Sequence, residues 1–293
     1  MSQSRESLHE TTLHGKKTFP FALYHARIPE WLRGFPPHWH DEFEIIIVTY
    51  GSGIFTVSGR QYLCKKDDLI LIPGGHIHGI AQNGNENCEY YNILFSFSLL
   101  EENPESHCTR QFFSNLMNNA LLNAYYLPQG NTLNSELLPL AKDLVEHRKE
   151  KYSGYELMIK ARLFNMLHLI IKEDLRENNG KKSSENNRTN TERIKKILSY
   201  TAEHFSERIS IQQAAEICAI SQSRFMNVFR DQTGMSFIQY LNDYRLEVAA
   251  EQLSNGNESV TEIAVKNGFD NISYFIRAFK AKFGCTPLEY KKR

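Results

Sequence analysis

The chain lacks any run of apolar residues long enough to cross a bilayer, and its polar N-terminus carries no apolar leader. A membrane protein and an exported one are both excluded on that reading, so a cytoplasmic protein without membrane contact is expected. Cysteine is scarce. The five present (Cys64, Cys88, Cys108, Cys218 and Cys285) are odd in number and scattered, with no C-x-x-C pair. That pattern fits reduced thiols better than a disulfide framework, with Cys218 reading as plain helix core. Net charge is also missing: 34 Lys and Arg balance 34 Asp and Glu. The split is faintly uneven, since residues 191–293 hold 14 basic against 12 acidic side chains and the rest 20 against 22. Indiscriminate polycation binding to nucleic acid is excluded, and attention shifts to a few placed cations: Arg224, Arg230, Arg277, Lys280 and Lys282. There is no nucleophile motif and no phosphate loop, so outside the strand-rich region no residues suggest catalysis.

What is present suggests two domains, since 293 residues at 41% hydrophobic composition can bury more than one core. Residues 1–18 are polar and aperiodic, and are expected to form a loose arm. From Phe19 the chain turns to short segments rich in Ile, Val, Phe, Tyr and Leu. Strands are expected at 19–24, 43–50, 53–58, 60–64, 68–72 and 89–97, with hairpin or turn signals at Ser58-Gly59 and Pro73-Gly74-Gly75. Many short strands at close spacing suggest a sandwich or barrel.

Residues 110–178 change to helical periodicity. Phe112, Phe113, Leu116 and Met117 open one helix, and Leu137, Leu140, Leu144 and Val145 stripe a second. A third, Tyr155 to Leu175, carries Met158, Ile159, Leu163, Met166, Leu167, Ile170 and Ile171, a stripe wider than one packing face needs. It fits either a dimer interface or packing against the strands. Residues 178–190 (NNGKKSSENNRTN) contain no apolar side chain and read as a flexible linker.

The last hundred residues repeat one pattern twice. A short helix from Ser210 to Ile217 precedes a second that Ser221 caps and Gly234 closes. Another short helix, Val260 to Asn267 behind Ser259, precedes a second that Asp270 or Asn271 caps and Gly284 closes. Phe225, Val228 and Phe229 stripe the first long helix; Ile272, Phe275, Phe279 and Phe283 stripe the second. FRDQTG at 229–234 and FKAKFG at 279–284 align. A short helix, a tight turn and a helix with a polar, cationic outer face make a helix-turn-helix, whose second helix enters a DNA major groove. Between the units, Ser236 to Ser254 reads as one amphipathic helix with Phe237, Leu241, Tyr244 and Val248 on a stripe. It spans about 28 Å, enough to hold two recognition helices near successive grooves roughly 34 Å apart.

Residues 191–293 resemble the DNA-binding domain of AraC-type transcriptional regulators. The resemblance runs through IxxAAEICAIS, FRDQTGMSFIQYLNDYRLEVAAEQL, EIAVKNGFDNISYFIRAFK and FGCTPLEY. It implies an all-α domain of two helix-turn-helix units, a promoter as double-stranded DNA partner, RNA polymerase as a further partner, and a homodimeric activator. Carried over by position, base-contacting sites fall on Ser223, Met226 and Asn227, then on Ile272, Ser273, Tyr274 and Arg277. Asn227 suits adenine and Arg277 guanine, while Met226 or Ile272 can touch a thymine methyl. Arg224, Arg230 and Lys280 suit phosphates.

The strand-rich region 19–98 is similar to a cupin-type jelly roll, which regulators of this family often carry as a sensing domain. His38-Trp39-His40, Glu44 and Gly51 follow the first cupin motif; Pro73-Gly74-Gly75 and His78 follow the second. Departures are the displaced Gly34 and the replacement of the closing Asn by Gln82 beside Asn83. The resemblance implies that His38, His40, Glu44 and His78 bind either an effector or a metal such as Fe, Mn, Ni or Zn. The expectation taken forward is a site without a metal cofactor, taking a polar small molecule such as a carbohydrate; the alternative is a metal-dependent cupin enzyme or a metal-sensing regulator using the same four residues. The expected whole is an α+β chain of two domains. Residues 1–18 form an arm, 19–177 a cupin-type β-barrel with flanking helices, 178–190 a linker and 191–293 the double helix-turn-helix.

Overall fold

The computed structural model describes residues 14–29, 34–101, 103, 105–107, 125–147, 152–177, 185–256 and 258–292. The helix expected from Phe112 and the arm before His14 lie outside them.

Two sheets share one long strand. β1 (Phe21–Ile28) pairs β7 (Cys88–Phe95), and β7 pairs the first half of β3 (Phe43–Val57), which also pairs β5 (Leu69–Ile72). β8 (Tyr125–Leu127) closes that sheet beside β5. The second half of β3 pairs β4 (Arg60–Lys65) and β6 (His78–Gln82), and β6 pairs β2 (Gly34–His38). The two strands expected at 43–50 and 53–58 are thus one strand of 15 residues. A register irregularity between Val48 and Tyr50 and a left-handed Gly51 (φ 68°) swing it from one sheet into the other without ending it. Ser58 and Gly59, both at positive φ (47° and 77°), make the expected two-residue hairpin into β4.

The Ile45-Ile46-Ile47-Val48 run is apolar throughout because both faces of its sheet are covered. Ile46, Val48, Ile70 and Ile72 meet Phe55, Val57 and Ile80 of the second sheet. Ile45, Ile47, Leu69, Leu71 and Ile93 point the other way, against α1 (Thr132–Glu146) and α2 (Tyr155–Glu177). The broad stripe of α2 is spent there: Ile159, Leu163, Met166, Leu167 and Ile170 are all buried on that face. Each such side chain contributes roughly 1.5–3 kcal/mol. Leu157 (73% exposed) and Phe164 (42%) remain outside.

α3 (Glu185–His204) takes in residues 185–190 of the stretch expected as linker; residues 178–184 lie outside the description. Its anchors Ile194, Ile197 and Leu198 are buried, and a helix fixed there propagates backward through polar residues at little cost. α4 (Ile211–Ile217) and α5 (Gln222–Thr233) form the first helix-turn-helix, α7 (Val260–Lys266) and α8 (Ile272–Phe283) the second; α6 (Phe237–Asn255) joins them and α9 (Pro287–Lys291) follows. Ser210, Ser221, Ser236, Ser259 and Asn271 cap helix starts with side-chain oxygens, and Gly234 and Gly284 end α5 and α8 in the left-handed region.

α6 serves two cores with opposite faces. Phe237, Tyr240, Leu241 and Tyr244 enter the first with Phe225 and Phe229, whereas Leu246, Ala249, Ala250 and Leu253 enter the second with Phe275 and Phe279. At 3.6 residues per turn these two sets point about 180° apart. Each helix-turn-helix is therefore packed on its own side of a single rigid rod. Among the described residues no helix is long and apolar enough to cross a membrane.

Candidate functional site

The four side chains singled out in the N-terminal domain come together. Glu44 shares the inward face of β3 with Ile46 and Val48, because alternate residues share a face. His78, opposite Val57 in the ladder, shares the inward face of β6 with Ile80, and His38 pairs with His78 directly across β2. Ring centroids lie 4.3 Å apart for His38 and His78, and 5.0 Å apart for His40 and His78. Glu44 Oε2 is 3.0 Å from His78 Nε2 and 3.4 Å from His40 Nε2. His40, Glu44 and His78 are almost fully buried, and His38 is half-buried.

Each imidazole is held by a main-chain carbonyl. Nδ1 donates to Pro36 in His38 (3.0 Å), to Glu42 in His40 (3.2 Å) and to His76 in His78 (2.8 Å). A carbonyl only accepts, so each Nδ1 carries a proton and Nε2 is the atom that each ring turns to the cluster. Electrostatics follow from this crowding. Burial would raise the Glu44 carboxyl, but His78 and then the hydrogen bonds from His40 and His78 outweigh it and hold the group well below the carboxylate range. Burial first, then the neighbouring His78 and His40, pushes His38 well below its ordinary value. Three imidazoles closed in on one carboxylate need a shared proton, a cation or a hydrogen-bonding ligand among them.

Ligand atoms of His38, His40 and His78 all lie within 4.8 Å of one another, a group able to hold a metal ion. Orientation of each ring by a carbonyl on its far nitrogen is the outer-shell arrangement of histidine metal sites. The donor set therefore fits a borderline cation such as Zn²⁺ or Fe²⁺. One neighbour was not legible in the sequence. His14, in the stretch expected as a loose arm, is 2% exposed, bonds Tyr24 Oη at 3.1 Å and packs edge-on 5.7 Å from the His40 ring. The aperiodic sequence around it offers no signal for this.

In the C-terminal domain the expected base-reading and phosphate residues form two exposed faces. Ser223, Arg224, Met226, Asn227 and Arg230 line α5, and Ser273, Tyr274, Arg277 and Lys280 line α8, all exposed. Among the described residues, no carboxylate pairs with Arg224, Arg230, Arg277 or Lys280. Ile272 differs: it is half-buried against the second core, so much of its side chain packs. Tyr274 Oη accepts from Asn242 Nδ2 on α6 at 3.2 Å, which fixes its ring. Lys282, grouped with the placed cations, is turned inward and pairs with Glu247 (3.0 Å) and Asp243 (3.6 Å) of α6. It ties α8 to the rod. Arg245 is a second tie that sequence reasoning missed; it donates to the carbonyls of Phe205 (2.6 Å) and Glu207 (2.7 Å).

Comparison with known proteins agrees with both halves. Residues 19–167 match the family model described as AraC-like ligand binding domain, and residues 214–293 match a helix-turn-helix domain model. The chain is 25% identical over 290 residues to the uncharacterized HTH-type transcriptional regulator YdeC of Bacillus subtilis, covering 98% of this chain and 97% of that one. It is 27% identical over 293 residues to the HTH-type transcriptional activator RhaS of an Enterobacter species, covering 96% and 97%. A crystal structure of ToxT from Vibrio cholerae matches 94% of this chain and 98% of its own at 15% identity, with a TM-score of 0.45. On the sequence matches, the chain belongs to the AraC-type family: it is a DNA-binding transcription regulator with an N-terminal ligand-binding domain, not an enzyme.

Proposed function

We propose that this regulator senses a polar small molecule at His38, His40, Glu44 and His78. The response is read out on a promoter through α5 and α8, placed in successive major grooves. The observation that carries the reading is the buried convergence of three carbonyl-locked imidazoles on one carboxylate, deep in a domain otherwise filled with isoleucine and phenylalanine. Such a set rewards a ligand that donates and accepts hydrogen bonds, as a carbohydrate does, and penalises an apolar one whose partners would be left unsatisfied. Changing His40 or His78 to Ala should abolish the effector response of a promoter reporter while operator binding persists. Variants that respond normally would place the effector elsewhere.

A second reading is favoured by compactness. Ligand atoms within 4.8 Å of one another enclose room for one ion more readily than for a sugar ring. Bound there, a transition metal would be held by His38, His40 and His78 with Glu44, and would satisfy all four lone-pair groups at once. Stoichiometric metal in protein purified without added metal, lost in His40→Ala, supports this reading; metal-free protein that responds normally removes it.

The finer partners belong to the same proposal. Homodimerisation is supported by the apolar ridge that α2 leaves outside, Leu157 and Phe164 about two turns apart on one side with Ala161 between them. Activation through contact with RNA polymerase rests on the family resemblance.

A further inference from the structure

The two tripeptides that deliver histidines to the cluster, His38-Trp39-His40 and His76-Ile77-His78, alternate in direction. Trp39 follows the end of β2 and Ile77 precedes the start of β6, and both side chains pack away from the cluster. What lies outside is the DNA-binding domain. Ile77 is 1% exposed and buried in the same core as Phe225, Phe229 and Tyr240, and Trp39 packs against that core. Lys195 of α3 sits over the Trp39 ring, its Nζ 4.3 Å from the centroid. The β3–β4 hairpin completes the contact: Gly59 presses so closely on the Asp231 carbonyl at the end of α5 that a Cβ would collide with it. Gly234, the α5 cap, packs against Thr56, and Ser58 Oγ is 3.0 Å from His76 Nδ1.

This seam is one-sided. The second core, built on α7, α8 and the far face of α6, includes no residue of the sensing domain. Nor does the seam cover the exposed bases-facing side of α5, which stays open at Ser223, Arg224 and Asn227. Beside Trp39 lies a cleft lined by Lys195, Ser199, Tyr200 and Ile217.

We propose that the outer face of the histidine strands, Trp39 and Ile77, is a docking surface for this chain's own first helix-turn-helix, through which the state of the cluster reaches that unit alone. The proposal rests on reading the cluster as the sensing site. Its physical basis is that Trp39 and Ile77 share contiguous backbone with the histidines beside them. A displacement that repositions His38, His40 or His78 must tilt Trp39 or Ile77 by a comparable amount, and a close-packed core transmits the tilt. β2 also touches α6, but the second core, on the far face of that helix, includes no residue of the sensing domain. Occupancy of the cluster therefore alters one of the two DNA contacts and leaves the other as a constant anchor.

Amide hydrogen exchange on the full chain tests this without knowing the operator or the effector. Glu44→Gln removes the carboxylate charge with little change of shape. It is expected to change exchange in α3 to α5 at least about threefold and leave α7 and α8 unchanged. Trp39→Ala is expected to speed exchange in α3 to α5 roughly tenfold, and in the double variant the Glu44→Gln increment disappears. If Glu44→Gln unfolds the sensing domain by circular dichroism, His38→Gln, a half-buried position, replaces it. The proposal is overturned by no change in the first unit, by equal change in both, or by an increment that survives Trp39→Ala. Failure here is separable from failure of the sensing site. A reporter silenced by His40→Ala but normal in Trp39→Ala keeps the site and removes the docking surface, whereas a reporter normal in His40→Ala removes the site itself.

Discussion

Replacing Gly268 by alanine is expected to cost the second helix-turn-helix about 3 kcal/mol, and the structure supplies the parts. Gly268 makes the turn between α7 and α8 at φ 78°, where an L-residue carries a penalty of roughly 1–2 kcal/mol. A Cβ there would stand 2.6 Å from the Ser206 carbonyl oxygen and 3.0 Å from the Arg245 guanidinium. Neither neighbour yields easily. The carbonyl is main chain, and the guanidinium is pinned by its bonds to Phe205 and Glu207. Loosening one such charge-assisted bond costs about 1.5–3 kcal/mol. In a domain of about a hundred residues each kcal/mol moves the melting temperature by about 4–8 °C, so Gly268→Ala in residues 185–293 should melt more than about 10 °C lower. Thermal unfolding followed by far-ultraviolet circular dichroism measures it. Arg245→Ala supplies the control, since two substitutions acting through one contact should be less than additive. A shift below about 3 °C would refute the reasoning and mean that the angle between α7 and α8 is not locked by this packing.

Other substitutions separate reading, anchoring and assembly. Arg277→Ala should lose roughly 1–3 kcal/mol of affinity together with preference at one base pair, whereas Lys280→Ala should weaken all duplexes alike; titrations against specific and random DNA distinguish them. Lys282→Ala should lower the melting temperature but leave the salt dependence of DNA binding unchanged, because its ammonium is engaged with Asp243 and Glu247. Leu157→Asp with Phe164→Asp should shift the chain from dimer to monomer in sedimentation without lowering its melting temperature, since both side chains are exposed. A dimer that persists would move the interface away from α2.

The C-terminal domain was legible because local chemistry and tertiary role coincide there. Ser and Asn caps, left-handed Gly ends and phenylalanines at helical spacing each mark one place in the fold, and each helix sits where they put it. The sensing domain was read less fully. β2 holds Pro36-Pro37 and β6 holds Gly79, so both look like turns, although a strand with free edges tolerates proline. Gly51 and Gly53 suggested a break where the chain only bends between sheets. The cluster could be assembled from spacing, but the seam behind it could not. Trp39 and Ile77 look like ordinary strand residues until their outward neighbours are known, although apolar residues alternating with inward histidines were the available signal. Lys282 and Arg245 show the converse limit. A cation on a helix reads as solvent-facing until the acids or carbonyls of another helix are placed beside it.

One chain is expected to contact promoter DNA through two recognition helices held apart by α6. Hydroxyl-radical footprinting of the full chain on the DNA upstream of its own gene and neighbouring genes tests it most directly. The expected result, for each protomer, is a pair of protected segments about one helical turn apart on one face of the duplex, with Asn227→Ala weakening one and Arg277→Ala the other. A single protected segment per protomer, or protection that both substitutions diminish equally, would contradict the account.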